Sequence, residues 1–197
     1  LSIASVLHAF GRAANQARAR WYLFGAQAVA LYGVPRTTAD VDITVVTEDF
    51  TAGHLLAPLR RAGFQATVSD PAFVARTRVL PLVHQRTGLP VDVVLAGPGL
   101  EEEFVARVRM VDVGRRPIPV IAPEDLVVVK LLAGRVKDLE DVRALLARSD
   151  LAIDRRRVGE TVAVLEALLG RSDLHRELAK LEPRRRRQRS PRRASRK

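Results

Sequence analysis

The chain has 197 residues, 47% of them hydrophobic and 28% charged. That balance fits one ordinary buried core and excludes fibrous, collagen-like or wholly disordered chains. There is no cysteine, which excludes disulfides, thiolate metal sites and cysteine nucleophiles. The net charge of +11 is uneven: residues 183–197 hold eight Arg, one Lys and no acid, and the other 182 residues hold 24 basic and 22 acidic side chains. Such a tail either meets a polyanion such as nucleic acid or is a solvated, disordered extension. Arginine outnumbers lysine 29 to 4 over the whole chain, so part of the tail's character is general usage. No apolar run is as long as a membrane span and the first residues do not read as a signal peptide. The expected address is the cytoplasm, with no membrane partner.

Residues 3–19 read as an amphipathic helix, with Ile3, Val6, Leu7, Phe10, Ala14 and Ala17 on one face. Trp21–Phe24 is a short strand, Gly25 breaks it, and Ala26–Tyr32 is a helix closed by Gly33. A loop from Pro35 to Ala39 leads into the β-branched strand Val41–Val46. Thr51–Ala62 is a helix stopped by Gly63, and Phe64–Val68 is a strand. Arg78–His84 and Val91–Leu95 form a hairpin around Thr87–Pro90. Leu100–Val108 is a helix whose first-turn Glu101, Glu102 and Glu103 oppose its dipole. Short strands follow near Met110–Val113 and Ile118–Ile121. From Pro123 the pattern is helical, with segments Pro123–Leu132, Asp138–Ala147, Val158–Leu169 and Asp173–Leu181. Mixed elements followed by helices point to an α+β fold, a small mixed β-sheet flanked by helices with a helical C-terminal region. The expected division is 1–122, a helical part 123–182, and a basic tail 183–197.

The informative side chains are acidic. Asp40 and Asp42 sit two apart at the start of a strand, so both face the same way while Val41, Ile43 and Val45 face the core. Two adjacent carboxylates repel, and a hard divalent cation such as Mg²⁺ offsets that cost. Asp92 interrupts the apolar run Val91–Leu95. It is a third ligand, an exposed edge-strand acid, or the partner of an Arg. Three strand-borne carboxylates can hold two metals for in-line attack on phosphorus. Gly25, between strand and helix, allows backbone N–H groups to approach a phosphate. Arg36 is a phosphate contact or the partner of a nearby acid. The four histidines show no ligand spacing, and Trp21, Phe24 and Tyr32 read as core residues.

These pieces, in this order, resemble the polymerase-β-like nucleotidyltransferase superfamily. Its members carry Gly-Gly or Gly-Ser opening a helix, Asp-x-Asp on the next strand, and a third Asp on a later one. Here the match falls on Gly25–Ala26, Asp40–Val41–Asp42 and Asp92. The stretch YLFGAQAVALYGVPRTTADVDITVV looks most like the AbiEii-type branch, which includes toxins of toxin–antitoxin systems. Gly25, Ala28, Gly33, Arg36, Thr38, Asp40 and Asp42 fill that branch's frame. A downstream segment with Pro123, Leu126, Lys130, Arg135, Lys137–Asp138 and Asp141 is similar to a helical segment of the same branch.

The resemblance implies an enzyme that moves a nucleoside monophosphate from an NTP such as ATP to an acceptor hydroxyl on RNA (tRNA in particular), protein or a small molecule. It implies two Mg²⁺ held by Asp40, Asp42 and Asp92, which are also the catalytic residues. Gly25, Ala26, Arg36, Thr38 and Lys130 would bind the nucleotide, and an antitoxin is an implied partner. Ala26 departs from the Gly or Ser of the pattern, which keeps a second reading open. That alternative is a non-catalytic nucleotide- or RNA-binding regulator with the same fold. A third, a generic α+β fold, predicts that the three aspartates lie far apart.

Overall fold

The computed structural model describes residues 2–46, 53–68, 70–97 and 99–183. Helix α1 (Ile3–Gln16) buries Val6, Leu7, Phe10, Ala13 and Ala14, largely the apolar face its periodicity predicts. Arg18, with φ of 52°, turns the chain into β1 (Arg20–Leu23). Next come α2 (Gly25–Leu31), an irregular stretch from Gly33 to Asp40, and β2 (Val41–Val46). Helix α3 (Gly53–Arg61) carries Leu55 and Leu59 into the core. The predicted start of this helix at Thr51 lies outside the described residues.

Strand β3 (Phe64–Ala66) is shorter than predicted. Helix α4 (Pro71–Thr77) was not anticipated, although its signals are present. Asp70 caps it by accepting from the Ala72 N–H at 2.9 Å, and Pro71 occupies its first turn. The hairpin of β4 (Val79–His84) and β5 (Leu89–Ala96) forms as expected, antiparallel from Val79↔Val94 to His84↔Leu89. Then follow α5 (Leu100–Ala106), β6 (Arg109–Val113) and β7 (Arg116–Val120). The chain continues through α6 (Pro123–Ala133), α7 (Val136–Ala147), α8 (Arg155–Leu169) and α9 (Leu174–Leu181).

The strands form one mixed sheet in the order β3-β4-β5-β2-β1-β7-β6. Among the described residues, only β2–β5 and β1–β7 are parallel. Val41, Ile43, Val45, Val91, Val93 and Leu95 share the core face and are almost fully buried. Helices α1 and α3 pack on each other, and Phe10 meets Trp21 and Phe64 edge-on at 5.3 and 5.8 Å. The α+β expectation, a mixed sheet flanked by helices with helices at the C-terminal end, holds.

Helix α6 packs against α7, α8 and α9. It is buried nearly all round, including Glu124, Asp125 and Lys130. Arg107 grips Asp125 with two hydrogen bonds of 3.2 and 3.0 Å. Glu124 meets Arg109 at 3.3 Å, also contacts Arg157, and accepts from the Asp154 N–H at 3.0 Å. Thus the acids of this first turn tie β6 and α8 to α6, beyond opposing its dipole. No helix among the described residues is long and apolar enough to cross a membrane.

Candidate functional site

The site sits where β1 hands over to α2, at the start of β2 and beside the middle of β5. Parallel pairing of β2 with β5 sets Asp42 directly beside Asp92. Identical register puts both side chains on one face, opposite the core valines. Asp40, two residues earlier, joins them from the bend before β2. One carboxylate oxygen from each of the three lies within 4.8 Å of the others. The generic-fold reading, with distant aspartates, is thereby overturned.

The cluster stores repulsion. Burial, then Asp40, then Asp92 push the Asp42 carboxyl up to about 6, against an opposing pull from Lys130 and an Ala26 backbone hydrogen bond. Asp92 is raised by burial and by Asp40. Three converging hard oxygens with excess negative charge fit a divalent cation of the Mg²⁺ class.

Gly25 makes the geometry possible. Its φ is +67°, and a Cβ built there would lie 1.9 Å from Asp42 Oδ2. The absence of a side chain lets the start of α2 close onto the carboxylate. Ala26 then uses its backbone N–H, so the departure from Gly or Ser leaves this contact intact. Thr38 donates its hydroxyl to Asp40 Oδ1 and so positions that carboxylate. Gly25→Ala should displace Asp42 and strain a left-handed position, lowering any activity of this site roughly 10²-fold. Gly25→Ala protein with wild-type turnover would show that the close approach is dispensable.

A cavity of about 370 Å³ opens beside Asp40 and Asp42, between α2, the loop carrying Arg36 and Thr38, and helices α6 and α7. All the sequence-predicted site residues except Asp92 line it. Phe24, read as core, is half-buried and forms part of this wall. Lys130 is nearly buried and bridges Asp138 at 3.0 Å and Asp141 at 2.8 Å. Arg36 lies 3.4 Å from Asp141, and Arg135 bonds Asp138 at 2.5 Å. Burial pushes Asp138 up, but the hydrogen bonds from Arg135 and Lys130 outweigh it and hold this carboxyl below its usual range. Arg36 and Lys130 are thus engaged by acids of α7. Lys137 also lines the cavity, is exposed, and makes no ion pair among the described residues. It entered the sequence reading only within the downstream segment. Its exposure beside the acids required the fold.

Several solved structures share this architecture. ANT(2")-Ia, in a crystal structure with adenylyl-2"-tobramycin, is 15% identical. It matches over 86% of this chain and 99% of that one, with a TM-score of 0.59. An antigenic nucleotidyltransferase-like protein from Paracoccidioides brasiliensis is 17% identical over 91% of this chain and 93% of its own, with a TM-score of 0.52. The lincosamide antibiotic adenylyltransferase LnuA, lincomycin-bound, is 15% identical over 75% and 98%, with a TM-score of 0.51. At these identities the likeness is one of fold. No curated protein sequence matches the chain. The family described as "Nucleotidyltransferase of unknown function (DUF6036)" matches residues 7–165, which takes in every element from the middle of α1 to most of α8. With that match over most of its length, and the Asp40, Asp42 and Asp92 cluster beside Gly25, the chain belongs to the DUF6036 nucleotidyltransferases.

Proposed function

We propose that this nucleotidyltransferase moves a nucleoside monophosphate from an NTP to an acceptor hydroxyl in an Mg²⁺-dependent reaction. The observation that carries this reading is the convergence of Asp40, Asp42 and Asp92 beside the close-packed Gly25. These three residues would hold the divalent ions, two in the fullest form. When bound, the ions neutralise charge on the phosphates and on the attacking and leaving oxygens. The acceptor oxygen forms a bond to the α-phosphorus, the bond from that phosphorus to the bridging oxygen breaks, and pyrophosphate leaves. Asp92, on the β5 side of the cluster, would take the proton of the acceptor hydroxyl.

On the other side, the cavity takes the triphosphate. Lys137 meets it as a free ammonium, while Arg36, Lys130 and the backbone at Gly25 and Ala26 shape its wall. Thr38 acts through Asp40. Catalysis on this plan is positioning and charge compensation.

The branch and the acceptor are part of the same proposal. The residue pattern favours an AbiEii-like, toxin-type role with an RNA or tRNA acceptor and a partner antitoxin in the cytoplasm. The ligands of ANT(2")-Ia and LnuA make a hydroxylated small molecule the second acceptor class to try, and protein hydroxyls the third. Residues 1–122 would supply the carboxylates and Arg36, and 123–182 the two lysines of the cavity wall. The basic tail, all but Pro183 of it outside the described residues, would recruit RNA. Deleting 183–197 should then weaken RNA affinity and flatten its salt dependence.

The deciding experiment supplies each α-labelled NTP with Mg²⁺ and RNA, protein or small hydroxylated acceptors. Label transfer by the wild type, and none by Asp40→Ala plus Asp42→Ala, is expected. Equal transfer by the double variant ends the proposal. Nucleotide binding without transfer to any acceptor would favour the non-catalytic regulator.

A further inference from the structure

A second cavity, of about 530 Å³, lies on the β1–β7 side of the sheet. Its origin is a break in the ladder. Strands β1 and β7 pair only at Leu23↔Val120, where the Ile121 N–H also reaches the Leu23 carbonyl at 2.9 Å. Toward Arg20 and Pro117 they form no further pairs. The prolines explain this. In the β6–β7 hairpin the closing pair is Val113↔Arg116, so Pro117 and Pro119 fall at the positions that turn away from β6. The donors that would have faced β1 are therefore missing. The sheet splays, and α1, the end of α5 and Met110 close around the opening.

The lining is chemically one-sided. Leu7, Trp21, Val105, Val108, Met110 and Pro119 make apolar walls. Arg12, Arg20 and Arg116 also line it, and among the described residues no lining residue is acidic. Arg20 is engaged by Glu102 at 2.7 Å. Arg12 and Arg116 are exposed and make no ion pair among the described residues. His8 lines the same space, and its Nε2 is buried without a hydrogen-bond partner. Gly11 faces the Trp21 ring, where a Cβ would come within 3.1 Å of Cζ2. The floor is thus kept open by the lack of a side chain.

We infer that this cleft is a binding site for a small amphiphile with an apolar body and one anionic head, a medium-chain carboxylate in chemical class. The body lies between Trp21, Met110 and the two prolines, and the head meets Arg12 and Arg116. The volume falls in the ordinary range for ligand pockets. The site is separate from the carboxylate cluster and does not depend on the transfer reaction.

Trp21 is the sole tryptophan of the chain, so its fluorescence reads the cleft directly. Titration of the full chain with octanoate should give a saturable change. Its apparent Kd should be at least tenfold below that of 1-octanol, a difference of about 1.4 kcal/mol. Arg12→Gln with Arg116→Gln should weaken octanoate about tenfold and leave octanol unchanged. Met110→Glu, at a residue 60% exposed, should weaken octanoate by placing a like charge on the wall. Saturating ATP with Mg²⁺ should leave the octanoate Kd unchanged. The inference is overturned by no saturable change, by octanol binding as tightly, by an arginine double variant that binds octanoate normally, or by competition with ATP.

Discussion

Asp42→Asn will lower nucleotidyl transfer roughly 10³-fold, and it will make the metal-free protein more stable at neutral pH. On the proposed function the loss follows from removing one of the three carboxylates that would hold the divalent ions, a change worth several kcal/mol of transition-state stabilisation. The gain follows from linkage. Asp42 titrates near 6 in the folded state, against 3.8 for the unperturbed group, because burial and then Asp40 and Asp92 disfavour its charge. The folded state therefore binds this proton more tightly than the unfolded chain does. Stability from this group is fully present below about pH 4, falls as pH rises through 6, and stays reduced above. The cost at pH 7.5 is on the order of 2 kcal/mol, allowing for solvent at the half-open site. Asparagine keeps an oxygen for the Ala26 N–H and carries no charge. In thermal melts without metal at pH 7.5, Asp42→Asn should melt above the wild type, and acidification from 6 to 4 should close the gap. Added Mg²⁺ should raise the melting temperature of the wild type and leave that of the variant nearly unmoved. A variant with wild-type turnover would remove Asp42 from the chemistry. A melt below wild type would show that its charge is compensated in the absence of metal.

Lys130→Met will cost about 3 kcal/mol of stability, a fall of roughly 6–12 °C in Tm for a chain of this size. The ammonium is the shared partner of Asp138 and Asp141, both nearly buried. Without it, two carboxylates remain in low dielectric with only partial compensation. Arg135 still reaches Asp138, and Arg36 stands 3.4 Å from Asp141, so the cost falls at the lower end for a broken buried pair. Adding Asp138→Asn and Asp141→Asn should recover much of the loss, since the stranded charges are then gone. Chemical denaturation of the single and triple variants checks this. A normal midpoint for Lys130→Met with a raised KM for NTP would instead assign the ammonium to the triphosphate. Asp42 should also titrate higher in this variant, because Lys130 is the cation that opposes its upward shift.

The two residues contrast in how far they could be read before folding. The Asp40–Asp42 pair was legible because strand period two is local, and Asp92 stood out as the one acid in an apolar run. The break at Gly25 was equally local. The partnership of Lys130 was not legible, since it depends on how α6 lies against α7. A lysine eight residues before one aspartate and eleven before another has no local reason to bridge both. Arg36 posed the same problem, with phosphate and acid both open from sequence. The fold puts it against Asp141, more than a hundred residues away. Glu124 and Asp125 are buried anchors for Arg107, Arg109 and Arg157, a role that depends on which elements pack against α6. Helix α4 was missed because seven residues with no buried side chain offer little periodicity against which to recognise a helix.

By itself, then, the sequence determined the order of the strands and of the helices other than α4, the core face of α1 and β2, and the identity of the three acids. Each rests on contacts or periodicities within a few residues. Tertiary structure alone decided that β2 and β5 run parallel in register, which converts two distant aspartates into neighbours. It also decided that Gly25 closes to van der Waals limits on Asp42, that Lys130 is enclosed while Lys137 is free, and that β7 splays from β1. These outcomes depend on long-range pairing and on which donors remain after each strand has found its partner, and neither is written in any local window of the chain.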